Sequence, residues 1–229
     1  SNFLARIIKI EGRVNIKRMG KEYFDEKAKL GLAISNGDEI KVGANSFCAV
    51  MYLDDKSIVK IRENSNFGFM DTQNTRTIDL KYGILLNNVK SKVEGRVFRI
   101  QTPVSVASVK GTKFAVLSSQ SGVDQFIGKE GLFEVLNIIS GETVSVRGGQ
   151  KAVSNSSGSL IQAPASTKEY PNDPEIEEYE EIKKEKEQES IKETKNNNNI
   201  DLNSDSDNDS KDFDQMQEEL DNDLDEFEE

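Results

Sequence analysis

The chain has 229 residues, enough for one or two domains, and its charge is split between its ends. Residues 1–165 carry 23 Lys and Arg against 16 Asp and Glu, while residues 166–229 carry 7 against 25, so a mildly basic body precedes a strongly acidic tail. A single cysteine excludes an intrachain disulfide, the lack of histidine removes the commonest metal ligand and general base, and no run of about 18 apolar residues is present to cross a membrane as a helix.

Taken in chain order, the body predicts β-structure throughout. Ala5 to Ile10 is β-branched and basic, Gly12 breaks it, and Val14-Asn15-Ile16 alternates again. Lys21 to Lys29 is polar and predicts a loop or one helical turn. Short strands then follow at turn-punctuated intervals. They are predicted at Glu39 to Val42, Phe47 to Leu53, Ser57 to Ile61, Asn66 to Met70 and Thr77 to Leu80. The series resumes with Val97 to Gln101, Val104 to Val109, Lys113 to Leu117, Val123 to Ile127, Leu132 to Ile138, Thr143 to Val146 and Lys151 to Val153. No stretch keeps a helical apolar period for a dozen residues. The expected fold is all-β: many short strands in a compact roll, solenoid-like or sandwich domain over residues 1–165.

One hairpin is legible in detail. Phe47 to Leu53 runs out, Asp54-Asp55-Lys56 turns, and Ser57 to Ile61 returns, with Ile58 and Lys60 on one face and Val59 and Ile61 on the other. Residues 166–195 read as a charged linker with a short helix from about Pro174 to Thr194, favoured by proline at its start and acids in its first turns. Residues 196–229 are low in apolar content and read as a disordered acidic tail, since little burial offsets the entropy of ordering.

Two segments carry a resemblance. The first runs through Gly37-Asp38, Gly43, Ser46 with its apolar strand, the Asp54-Asp55-Lys56-Ser57 turn, and Asn64-Ser65. The second is Thr102-Pro103 followed by Val109-Lys110-Gly111-Thr112-Lys113-Phe114, with Gly131 in a later Glu-Gly pair. In this order they resemble the FecR domain family across roughly Ile8 to Ser154. The turn lacks that family's usual glycine, and Lys110 stands where arginine is commoner. The resemblance implies the extracytoplasmic sensory domain, without the cytoplasmic and membrane segments of full transducers. The chain, which starts abruptly at Ser1, is read as mature or trimmed.

The chemistry-bearing residues favour scaffold roles. Gly37-Asp38 suits a turn ahead of a strand, and Gly111 a bulge or close backbone approach. Cys48, among Phe47, Ala49 and Val50, reads as a small buried apolar residue, since no histidine is present to activate it. Asp54 and Asp55 are adjacent in a turn, where carboxylates are usually solvated, so they make a poor catalytic pair. The tail stretch Asp201 to Asp212 has oxygen donors at alternate positions but lacks the glycine and final glutamate of a calcium loop. Arg6, Lys9, Arg13, Lys17 and Arg18 are interleaved with Glu11 and lack an aromatic platform, against nucleic-acid binding.

The expected function is therefore a non-catalytic, extracytoplasmic binding or scaffold module, periplasmic or secreted. It would need no cofactor or metal and would recognise a protein or envelope glycan. The alternative is the sensory portion of a sigma-factor regulator. The acidic tail would contact the basic body or cations, with salt screening that contact.

Overall fold

The computed structural model describes residues 3–89 and 96–176, and these hold no helix. The first part contains β1 (Ala5–Glu11), β2 (Val14–Lys17), β3 (Glu26–Lys27), β4 (Ala33–Ile34), β5 (Glu39–Val42), β6 (Phe47–Tyr52), β7 (Ile58–Ile61), β8 (Ser65–Asp71) and β9 (Thr75–Asn88). The second contains β10 (Val97–Gln101), β11 (Ser105–Val109), β12 (Lys113–Ser118), β13 (Val123–Glu130), β14 (Leu132–Asn137), β15 (Thr143–Arg147), β16 (Gln150–Asn155) and β17 (Leu160–Pro164).

The pairings define two faces. Sheet A runs β4-β1-β6-β7-β9-β12-β13-β16-β17 and sheet B runs β3-β2-β5-β8-β9-β10-β11-β14-β15. From β10 onward successive hairpins alternate strictly between the two sheets. Among the described strands only β9 and β10 pair in parallel.

β9 belongs to both faces. Its residues Thr75–Gly83 include the rungs with β8 and β10, and Gly83–Asn88 pair with β12, with Leu85–Asn88 also against β7. The crossing falls at Gly83, whose φ is +117°. A Cβ there would lie 2.1 Å from Ser65 Oγ and 2.5 Å from Ser65 Cα, so only glycine lets the strand pass.

Aromatic side chains tie the faces together. Tyr52 of sheet A meets Phe69 and Phe98 of sheet B edge-on at 6.2 and 6.1 Å, and Phe114 packs on Phe133 at 4.9 Å. Each fully buried phenylalanine contributes about 1.5–3 kcal/mol through apolar burial. Period-2 alternation sets which residues face inward. On β11, Ser105, Ala107 and Val109 are buried while Val106 and Ser108 are half-buried.

The hairpin of β6 and β7 has the expected geometry: Cys48 pairs with Ile61 and Met51 with Ile58, with Val59 and Ile61 in the core. Of the two alternatives for Lys21 to Lys29 the structure has the loop, which also holds the short β3. Other expectations needed correction. The strand expected to end at Leu80 continues to Asn88, and Leu160–Pro164 adds a strand. Pro174–Ile176 carry no regular secondary structure; the remainder of the expected helix, the tail and the Asp201–Asp212 stretch lie outside the described residues.

Candidate functional site

The motif residues build turns and core. Asp38 is buried; its carboxylate accepts from Arg18 Nη1 at 2.7 Å, Ser35 N–H at 2.9 Å and Met19 N–H at 3.2 Å. Gly37, with φ +84°, donates its N–H to Phe69 O at 2.8 Å. Arg18 also chelates Glu26 through two hydrogen bonds, which takes it out of the amino-terminal basic cluster.

Gly43, Ser46, Asn64 and Ser65 meet at one end of the stack. Gly43 N–H bonds Arg13 O, Asn64 N–H bonds Gly43 O, and Ser46 Oγ accepts Arg13 N–H at 2.8 Å. Ser65 Oγ accepts Ile84 N–H at 3.0 Å, beside the Gly83 crossing. These contacts stack the β1–β2, β5–β6 and β7–β8 turns.

Gly111, Thr112 and Gly131 form a second turn stack. Gly111 and Gly131 take φ of +65° and +83°, and a Cβ on Gly131 would come within 2.9 Å of Gly111 O. Thr112 O accepts Val89 N–H, and Phe114 lies in the core. Thr102 Oγ1 accepts the N–H groups of Val104 and Ser105, shaping the turn around Pro103, and donates to the fully buried Asp124. Ser105 Oγ donates to the same carboxylate at 2.8 Å. Cys48 is buried and burial pushes its thiol up to about 12, which leaves it protonated at neutral pH.

Asp54 and Asp55 depart from the solvated turn expected of them. The Asp55 side chain is buried, 3.1 Å from Arg76 Nη1, and Ser57 Oγ donates to it at 2.7 Å. Asp54 is half-exposed and also pairs with Arg76, and Asp71 lies 3.5 Å from Arg76 Nε. Arg96 approaches Asp54 and Asp71 at 3.7 Å each. Arg76 is itself buried and stacks on Tyr52, whose hydroxyl has no hydrogen-bond partner. Burial raises the Asp71 carboxyl above the usual range, outweighing the two arginines. Asp54 is held low by Arg76 against its own desolvation. A buried arginine answered by three carboxylates is a packed ion network rather than an open catalytic pair. Among the described residues no cluster of His, Cys, Asp or Glu is placed to hold a metal.

The remaining distinctive surface is the outer face of sheet A. The pairing registers put Ala49, Lys60, Leu86, Ala115, Ile127 and Lys151 in one transverse row across β6, β7, β9, β12, β13 and β16. Their sequence neighbours Val50, Val59, Leu85, Val116, Phe126 and Ala152 point into the core, so this row faces outward. Yet Ala49, Leu86, Ala115 and Ile127 are buried.

Residues 165–176 form a strap over that row. Lys151 pairs with Glu169, Lys129 sits 5.2 Å from the Tyr170 ring centroid, and Arg62 donates to Asn172 O at 2.5 Å. Lys60 Nζ reaches Asp173 Oδ1 and Pro174 O, both at 2.6 Å, and Lys129 lies 3.8 Å from Asp173. Pro171 and Pro174 lack N–H donors and keep the strap extended after its turn at Ser166–Glu169. The hydrogen bond from Lys151 holds the Glu169 carboxyl below its ordinary range. A groove of about 450 Å³ opens beside the strap, between Gly128, Lys129, Gly149, Thr167 and Tyr170.

The Arg76 network was not anticipated, and for residues 165–176 the sequence pointed to no residues or partners beyond a general contact of the acidic tail with the basic body. The signal for Arg76 was its parity with Ile78 and Leu80, which turns all three inward on β9.

Residues 38–127 match the FecR protein family. Over that span the chain is similar to a FecR domain. The matched span begins at Asp38 and ends at Ile127, so it takes in the β9 crossing and the turn residues Gly43, Ser46, Asn64, Ser65, Gly111 and Thr112, while Arg13 and Gly131 lie outside it. Two crystal structures of a candidate anti-sigma factor from Parabacteroides distasonis share the fold, at TM-score 0.50 and 19% identity. The likeness covers 57% of this chain and 61% of that one, so the chain spans about three fifths of the length of those structures. No curated protein matches the sequence. Among the described residues no helix is long and apolar enough to cross a membrane.

Proposed function

We propose that this chain is the sensory, ligand-receiving part of a FecR-type regulator, acting outside the cytoplasm and without catalysing a reaction. The observation that carries the reading is the FecR match over residues 38–127 on a β-body whose motif side chains are spent on turns and core. The likeness of fold to a candidate anti-sigma factor supports the regulatory side of it. The residues that could do chemistry are tied up: Cys48 is buried and protonated, and the closest carboxylates clamp Arg76.

A sensor needs a rigid frame and a surface that can change its occupant. The paired strands supply the frame. The outer face of sheet A supplies a binding surface for a protein or envelope component.

The test is in the native cell. Deleting residues 38–127 in frame and measuring transcripts is expected to change the output of a defined set of promoters. Complementation by an exported copy should restore it. Unchanged transcription, or rescue by a copy confined to the cytoplasm, contradicts the reading.

A further inference from the structure

The row on sheet A is an unusual outer face. An outward row is ordinarily polar, whereas this one is small or apolar at Ala49, Leu86, Ala115 and Ile127, with lysines at Lys60 and Lys151. The four apolar positions are closed from water. The strap makes a turn at Ser166–Glu169 and then runs on without regular structure, and it is proline-bearing and acidic: residues 165–176 hold Glu169, Asp173 and Glu175 against Lys168 alone. Its anchors are charge pairs at either end, Lys151 with Glu169 and Lys60 with Asp173. The strap adds no backbone rung to the row's strands, and its two prolines could not donate to one. The backbone bond of Ala165 N–H to Gly149 O lies where the strap leaves β17, ahead of these anchors.

We propose that this trough is a recognition surface for an extended acidic peptide of a partner protein, and that the strap occupies it in cis. The inference deepens the sensory reading by naming its surface and ligand class. The lysines read the acidic groups at a separation set by the strands between β7 and β16. The small residue Ala115, between the two lysines, leaves depth for an apolar side chain. The groove beside Tyr170 gives a competing chain a place to enter. A partner peptide must displace the strap, so binding outside and release of the tail-bearing end are coupled.

The test uses the full chain and a fluorescein-labelled synthetic peptide copying residues 165–176. A tethered competitor acts at an effective concentration on the mM scale, so the wild-type chain binds the free peptide weakly, and Glu169→Gln with Asp173→Asn tightens binding by at least about tenfold. Adding Lys60→Ala to that double variant abolishes the gain, and a peptide with lysines at both acidic anchor positions does not bind. Thermal melts check that each variant is folded. Equal affinity for wild type and the double variant overturns the proposal, as does a gain that survives Lys60→Ala. The transcript measurement does not depend on these affinities, so failure of the surface assignment and failure of the sensory reading are separable.

Discussion

The guanidinium of Arg76 lies 3.8 Å from the centroid of the Tyr52 ring, so the central charge of a buried network is seated on an aromatic face that belongs to the opposite sheet's core. Asp55, Asp54 and Asp71 close around it. Desolvating an arginine this far is tolerable only because its partners and the ring replace water.

The network predicts an asymmetry between its members. Arg76→Met leaves Asp55 and Asp71 buried without their cation and should cost about 3–5 kcal/mol in denaturant unfolding. Asp71→Asn should instead raise stability at neutral pH, because neither Asp71 oxygen has a hydrogen-bond partner and burial outweighs the attraction of both arginines. The sign follows from linkage. A carboxyl raised in the folded state contributes stability below its unfolded pKa and loses it as pH rises through the folded value. The advantage of Asp71→Asn is therefore largest at neutral pH and shrinks as acid protonates Asp71. A variant that is less stable than wild type at pH 7 contradicts this account.

Gly83→Ala should be among the most damaging single substitutions in the chain. The new methyl collides with Ser65 backbone as well as side chain, and the φ of +117° is strained for any other residue. A loss above about 3 kcal/mol is expected by chemical denaturation. Ser65→Gly should not rescue it, since the 2.5 Å contact is to Cα. Rescue would place the conflict in the side chain alone.

Lys56 holds the left-handed position of the β6–β7 turn, with φ +58°. This is where the FecR pattern has its turn glycine. Lys56→Gly should raise stability by about 0.5–1 kcal/mol, the relief of a left-handed side chain less the added freedom of the unfolded chain. A drop in melting temperature would show that the interactions of the lysine side chain outweigh the backbone term.

Much of this architecture was legible from alternation and turn chemistry. The turn of the β6–β7 hairpin and the inward face of its return strand could be read, because Asp54-Asp55-Lys56 separates two β-rich runs and Val59 and Ile61 alternate with Ile58 and Lys60; the register itself comes from the structure. The β9 crossing could not. Lys81-Tyr82-Gly83 looks like the end of a strand, and a glycine that bends a strand between sheets has the same local signature as one that stops it. Arg76 was missed because a lone arginine between threonines is read as solvent-facing, although its parity with Ile78 pointed inward. The location and partners of the strap were missed for a related reason. Pro171-Asn172-Asp173-Pro174 has the composition of a linker, and only the fold reveals that Lys60, over a hundred positions earlier, waits beneath it. Pairings of that separation leave no local trace in a sequence.

The central claim is that the strap occupies a recognition surface and can leave it while the β-body stays intact. Hydrogen–deuterium exchange of the full chain, read by mass spectrometry from about 0.05 to 0.5 M salt, tests it, because screening weakens partly exposed ion pairs. The hydrogen-bonded strap amides of Ser166 and Glu169 should exchange faster as salt rises, while those of β12 and β13 stay protected. Protection of the strap that matches the core strands at every salt concentration would contradict the account.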